Sequence, residues 1–356
     1  MNQCFWRDKR VFLTGHTGFK GGWLSLWLKT MGAEVHGYAL NPDAEPNLFT
    51  TAEIGTELAS STIADIRDAS ALAKAMRIVK PDIVFHLAAQ PLVRRAYSDP
   101  METYAVNVMG TVSMFEAVRK TCSVRVVVNV TSDKCYENQE SNLPYREDDP
   151  MGGYDPYSSS KGCAELVTAS YRRSFLQHSG VSVASARAGN VIGGGDWSPD
   201  RLIPDFLRAI DANQQLVIRC PTAVRPWQHV LEPLSGYITL AEHLFTDGRM
   251  FEGAWNFGPE NGTDRTVSWI VERLVAATKS GMWQLSQDPQ PHEANYLKLD
   301  SSKAISQLGW SPRWDLNTSL EKILEWHASW RNGEDMHKYT CAQIAAYQAT
   351  VSYRRT

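Results

Sequence analysis

The first thirty residues restrict the fold more than any other stretch. Val11, Phe12 and Leu13 make a short apolar run with strand character. Thr14, Gly15, His16, Thr17, Gly18, Phe19, Lys20 and Gly21 follow it directly, and a segment that reads as helix begins at Gly22. Glycines spaced three apart let the backbone turn tightly and bring the first N–H groups of a helix onto a pyrophosphate. A plain tight turn would not need strand, glycines and helix in that order, so the stretch predicts a dinucleotide-binding βα unit. His16 stands where a small residue is expected, which predicts a crowded pyrophosphate site.

The units that follow extend the pattern. Residues 34–40 read as a second strand, but Leu40 and Asn41 stand where an acidic residue would hold the adenosine ribose. Asn41 or Asp43 could take that place. No arginine lies between Val11 and Ile66 to meet a 2′-phosphate, so NAD is expected rather than NADP. Residues 62–66 make a third strand ending in Asp65 and Ile66. Asp65 could meet the adenine amino group or cap a helix, although Asp68 is better placed to cap. A fourth strand, residues 83–90, ends in Leu87, Ala88 and Ala89, small enough to let a cofactor approach. His86 inside it reads as a core histidine. Asp99 and Pro100 start a long helix that contains Asn107 and Gly110. Repeated strand and helix units make a doubly wound parallel sheet, an α/β fold of Rossmann type.

The fifth strand, residues 126–130, delivers Thr131, Ser132, Asp133, Lys134, Cys135 and Tyr136 to its carboxyl end, where open α/β sheets bind ligands. Further on, Tyr157 and Lys161 stand four apart in a helix-compatible segment, on one helical face and about 6 Å apart along the axis. A free tyrosine has a pKa of about 10, so it needs a neighbouring cation to act as a base near neutrality.

With 356 residues the chain can hold about two domains. A net charge of −3 with mixed signs gives no footprint for nucleic acid or an anionic membrane surface. The six cysteines lack paired spacing, which argues against a zinc site or a disulfide scaffold. No secretory leader and no bilayer-length apolar run stand out, so a soluble cytoplasmic protein is expected.

Together Thr14, Gly15, Gly18, Gly21, Asp65, Ile66, Leu87, Ala88, Ala89, Asn107, Ser132, Tyr157 and Lys161 resemble the extended short-chain dehydrogenase/reductase pattern, in order and at its usual intervals. Within that superfamily, Ser132, Asp133 and Lys134 match the place where nucleotide-sugar 4,6-dehydratases carry a hydroxyl, an acid and a third catalytic residue, commonly Glu. Lysine in the third place, with residues 152–158 and 187–197, most resembles the dehydratases that act on CDP-glucose. The resemblance implies NAD held by residues 15–21, Asn41, Asp65, Ile66, residues 87–89, Asn107, Tyr157 and Lys161. It further implies internal hydride transfer, with Tyr157, Lys161 and Ser132 serving oxidation at carbon 4 and Asp133 and Lys134 serving loss of water. It places the product, a 4-keto-6-deoxy sugar, in deoxysugar biosynthesis of the 3,6-dideoxyhexose, O-antigen type, and expects a homodimer or dimer of dimers.

Composition shifts toward Gly, Pro, Trp and Asp at Arg187. We therefore expect a Rossmann domain over residues 1–186, with chain returning to it near 227–258. A sugar-nucleotide lobe is expected from residues 187–226 and, mainly, 259–356. By the family pattern Asn190, Arg201 and Arg225 would clamp the diphosphate, and His292 and Tyr296 could reach the nucleotide. Guanidinium groups suit phosphate oxygens; the alternative for each is a surface salt bridge, weakest for Arg225 beside Pro226 and Trp227 and stronger for Arg201. A 4-epimerase is the nearest rival, but it needs no acid and base after Ser132. A silent nucleotide sensor on the same fold is the rival of another class, and need not keep Ser132, Tyr157 and Lys161 together.

Overall fold

The structure, a computed structural model, describes residues 2–141, 143–260, 264–287 and 296–350. Seven strands form one sheet: β1 (Arg10–Thr14), β2 (Glu34–Ala39), β3 (Ser60–Ile63), β4 (Ile83–His86), β5 (Val126–Val130), β6 (Ser182–Ala188) and β7 (Gly253–Phe257). Their spatial order is β3-β2-β1-β4-β5-β6-β7 and every neighbouring pair is parallel. Alternation of side chains explains why the central strands are apolar throughout. Val11 and Leu13 of β1, Ile83 and Phe85 of β4, and Val126 and Val128 of β5 enter one core. Phe12, Val84 and Val127 enter the core on the opposite face.

The helices that flank the sheet are α1 (Phe19–Thr30), α2 (Ala69–Val79), α3 (Gly110–Arg119), α4 (Pro156–Tyr171), α5 (Leu202–Asp211), α6 (Leu231–Asp247), α7 (Val267–Thr278), α8 (Leu316–Arg331) and α9 (Met336–Ala349). Asp68 caps α2 through the N–H groups of Ser70 and Ala71. Asp99 caps the Pro100–Tyr104 helix, which runs through a π-turn at Ala105–Met109 into α3. Asp155 caps α4, with Pro156 in its first turn. Among the described residues no helix is long and apolar enough to cross a membrane.

Two expectations need correction. The third strand stops at Ile63 rather than Ile66, because Ala64 N–H still bonds to Ala39 O but the Tyr38 hydroxyl then takes Asp65 O and turns the chain out of the sheet. The strand at 253–257 is a full member of the sheet, paired along β6, within the stretch where the chain is expected to return to it. The C-terminal part is not mainly lobe. Trp326, Met336, Ile344 and Tyr347 join the core under α1, where the Tyr347 ring meets Trp27 edge-on at 5.5 Å. Burial of each such large apolar side chain contributes roughly 1.5–3 kcal/mol. The lobe has its own core, in which Ile203, Phe206, Leu216, Ile218, Ile270, Leu274, Leu320 and Ile323 meet.

Candidate active site

Two turns at the carboxyl ends of parallel strands frame the site. After β1, Gly15 takes φ +81°, and a Cβ there would strike the backbone of Leu87 and Ala88 at 2.8–2.9 Å. A Cβ on Gly21 would lie 2.0 Å from Gly15 O, so α1 packs directly on the turn. The first N–H groups of α1, beginning at Phe19, lack intrahelical acceptors and carry the positive end of the helix dipole. Thr17 Oγ1 ties the turn to Leu40 O at 2.8 Å, which brings the half-exposed end of β2 and Asn41 alongside. This cradle fits a dinucleotide pyrophosphate.

His16 does not crowd the turn from outside. Its ring is fully buried, bonds to Ser61 Oγ at 2.7 Å, and occupies the space a side chain on Gly37 would need, at 2.3 Å from such a Cβ. Burial, partly offset by a hydrogen bond with the Tyr38 backbone, lowers its pKa to about 4, so it is neutral. Asp65 is taken up by Arg67 through both carboxylate oxygens. Asn107, in the π-turn, accepts from Gln90 N–H at 2.8 Å and donates to Gln90 O at 3.1 Å and Ser160 Oγ at 2.8 Å. Its side chain braces the end of β4 against α4 rather than standing free. His86 is the core histidine expected, held by Thr14 at 2.7 Å and Thr111 at 3.2 Å.

The second turn follows β5, all five residues of which are buried. Ser132 Oγ donates to Asp133 Oδ1 at 3.0 Å and accepts from Lys134 N–H at 3.2 Å, which starts a short 3-10 turn over Asp133–Cys135. The Asp133 side chain is 1% exposed, whereas the Lys134 side chain is 27% exposed with Nζ 3.8 Å from Asp133 Oδ1. Tyr157 and Lys161 on α4 face this turn, both buried. Burial pushes the Tyr157 phenol up to about 12; the Ser132 hydrogen bond and the charge of Arg201 pull it down, while Asp133 and Asp155 add to the rise. In the free protein the phenol is therefore raised rather than brought down, and burial also depresses Lys161, to about 8, offset in part by Cys135 and Glu165. Lys20, in the first turn of α1, faces the same centre: burial and then the fields of Arg201 and Lys161 bring it to about 7.

One buried network supports these residues and was not read from the sequence. Glu165, one turn beyond Lys161, accepts from Arg187 Nε at 3.0 Å and Nη2 at 2.9 Å, from Ser185 Oγ at 2.6 Å and from Thr131 Oγ1 at 2.5 Å. Arg187 continues to the Tyr136 hydroxyl at 2.7 Å, which donates to Asn256 Oδ1 at 2.7 Å. Strands β5, β6 and β7 and helix α4 are thus tied together beneath the turn.

On the lobe side, Asn190 Oδ1 is buried without a hydrogen-bond partner among the described residues. Arg201 pairs with Asp196 at 3.1 Å at the start of α5. Arg225 is buried in a two-residue strand whose antiparallel partner sets Arg265 directly opposite it. Two guanidinium side chains placed opposite each other suit an anion. Arg265 was missed in the sequence because only the pairing brings it to Arg225. Tyr296 bridges Val224, next to Arg225, and is 37% exposed. His292 lies outside the described residues.

Fold and site define an extended short-chain dehydrogenase/reductase, with a dinucleotide cradle, a Tyr-x-x-x-Lys helix and an acidic turn on one parallel sheet. The chain belongs to the GDP-mannose 4,6 dehydratase family, whose model matches residues 12–323. It is 54% identical to the CDP-glucose 4,6-dehydratase of Salmonella typhimurium, over 99% of each chain. It is 26% identical to a probable dTDP-glucose 4,6-dehydratase of Sinorhizobium fredii, over 89% of this chain and 92% of that one. Among solved structures, a dTDP-glucose 4,6-dehydratase from Streptomyces venezuelae with NAD bound superposes with a TM-score of 0.78 at 23% identity, covering 92% and 99% of the two chains. A UDP-glucose 4-epimerase from Stenotrophomonas maltophila, also with NAD bound, gives 0.77 at 20% identity, covering 92% and 100%.

Proposed function

We propose that this chain converts CDP-glucose to CDP-4-keto-6-deoxyglucose and water as an NAD-dependent 4,6-dehydratase. The observation that carries the reading is the turn at Ser132, Asp133 and Lys134: an acid and a base follow the hydroxyl, buried and half-buried, opposite Tyr157. An epimerase has no use for that pair. The full-length 54% identity to a CDP-glucose enzyme supports the nucleotide.

The cradle at residues 15–21, the end of β2 and residues 87–89 would hold NAD. When bound, NAD supplies a hydride acceptor and donor and a positive charge. Tyr157 takes the proton of the 4-hydroxyl, and Lys161 holds its charge near the phenolate that forms. Ser132 orients the same oxygen. The 4-keto group acidifies carbon 5, Lys134 in its neutral form removes that proton, and protonated Asp133 gives a proton to the departing 6-hydroxyl. Arg201, Arg225 and Arg265 grip the diphosphate, with Asn190 beside them.

A second copy of the chain completes the assembly. Met101, Met109 and Leu166 stand 83%, 56% and 61% exposed on the neighbouring helices that carry Asn107 and Tyr157. Large apolar side chains grouped this way mark an interaction face. Incubation with NAD and, separately, CDP-, dTDP-, GDP- and UDP-glucose tests the reading: mass spectrometry should show water lost from CDP-glucose fastest, and equal or faster loss from another nucleotide would overturn the CDP assignment.

A further inference from the structure

Asp133 uses only one carboxyl oxygen towards the turn. Oδ1 accepts from Ser132 and faces Lys134, while Oδ2 is buried and has no hydrogen-bond partner among the described residues. It points at the 189–190 turn after β6, where a Cβ on Gly189 would stand 3.1 Å from it and 2.4 Å from the Pro226 ring. Two more buried polar atoms without partners among the described residues, the Tyr237 hydroxyl and Gln228 Oε1, belong to residues linked to that turn through Asn190 and Phe257. Gln228 donates from its backbone to Asn190 O at 3.1 Å and from its amide to Phe257 O at 2.8 Å. The Tyr237 ring lies edge-on to that same Phe257 at 5.6 Å.

Tyr237 is out of character for its position. It is fully buried in α6, on a helix otherwise filled there by Leu234, Ile238 and Ala241. Phenylalanine would fill the same space, whereas a buried hydroxyl with no partner costs about 1–3 kcal/mol. Burial first, and then the charges of Asp133 and Tyr157, push its pKa up, so it keeps its proton and lies within electrostatic reach of both catalytic groups. The three atoms also match in kind. Tyr237 offers a donor; Asp133 Oδ2 and Gln228 Oε1 offer acceptors; one water accepting from the first and donating to the other two would satisfy all three.

We propose that Tyr237 is a positioning residue for the elimination step, its hydroxyl holding the inward oxygen of Asp133 through one water shared with Gln228. This rests on the dehydratase reading. The proton to be transferred then sits on Oδ1, the oxygen of Asp133 that faces Ser132 and Lys134. As the carbon 5 proton goes to Lys134, a double bond forms between carbons 5 and 6, the bond from carbon 6 to oxygen breaks, and the Asp133 proton leaves with that oxygen as water. Negative charge appears on Asp133 in that step, and the hydrogen bond at Oδ2 stabilises it.

The test is Tyr237→Phe, run with NAD and CDP-glucose deuterated at carbon 5, beside the wild-type protein. The expected result is loss of water about tenfold slower, for one hydrogen bond to a developing charge. Oxidation at carbon 4 and exchange of the carbon 5 label continue, so label washout from recovered 4-keto intermediate rises relative to dehydrated product. That ratio is measured within whatever protein is folded, and a general loss of structure would lower both processes together. Parallel loss of both, or an unchanged ratio and rate, overturns the proposal. If the wild-type protein itself takes no water from CDP-glucose, the dehydratase reading falls, and the role of Tyr237 falls with it.

Discussion

Replacing Glu165 by glutamine should damage stability and catalysis together, for reasons the geometry separates. Glu165 and Arg187 are 5% and 4% exposed, and their two hydrogen bonds are 2.9 and 3.0 Å long. Burial opposes the ionised form of each, yet Arg187 with its neighbours holds Glu165 below the usual carboxylate range and Glu165 holds Arg187 charged. Removing one charge from a buried pair costs about 3–5 kcal/mol. A glutamine keeps one acceptor oxygen for the guanidinium, which places Glu165→Gln near the low end, about 3 kcal/mol by urea or thermal unfolding. Replacing both partners by methionine should recover most of that loss, because no unpaired charge is left behind. Catalysis carries a second signature. Glu165 is one of the charges that keep Lys161 from falling below about 8, so its neutralisation lets Lys161 lose its proton at lower pH. If the ammonium is the active form, kcat falls with rising pH, and the variant should begin that fall earlier than the wild type. A Glu165→Gln protein within about 0.5 kcal/mol of wild type, with the same alkaline limb, would refute the reasoning, since surface substitutions commonly cost no more than that.

Other outcomes are as specific. Tyr157→Phe should abolish turnover while leaving NAD binding, measured by calorimetry, largely unchanged, because only the proton-accepting oxygen is lost. Lys134→Met should still oxidise carbon 4 but stop before water loss; ordinary dehydration with ordinary washout of a carbon 5 label would return the base to another residue. Leu166→Glu, placing a charge on the exposed apolar face, should shift sedimentation toward monomer, and an unchanged dimer would move the interface elsewhere.

What could be read from residues alone were the features written in short stretches. The glycine turn, the valine-rich β5 and the Asp155, Pro156 and Tyr157 start of α4 each carry their own local signal, so the parallel sheet and the Tyr157 and Lys161 pair were legible. Features made by pairing distant stretches were not. Glu165 and Arg187 are a turn apart in space only because β6 lies beside β5 under α4, and Arg265 meets Arg225 only through a two-residue strand pair. Tyr237, within an apolar stretch of helix α6, carries no local signal that marks its hydroxyl. One missed signal was available: Gly37 in the middle of a buried strand marks a close approach, and the structure shows that the His16 ring makes it. The end of β3 was misjudged because Ala64 and Ile66 continue the apolar pattern while a single tyrosine hydroxyl decides where the strand stops.

The central claim, oxidation at carbon 4 joined to water loss at carbon 6 within one site, is tested most directly with CDP-glucose carrying deuterium at carbon 4. The protein with NAD should release a product lighter by one water, with the deuterium now on carbon 6 and no net consumption of NAD. Recovery of the unchanged mass with inverted carbon 4, as an epimerase would give, or a dehydrated product without deuterium at carbon 6, would contradict it.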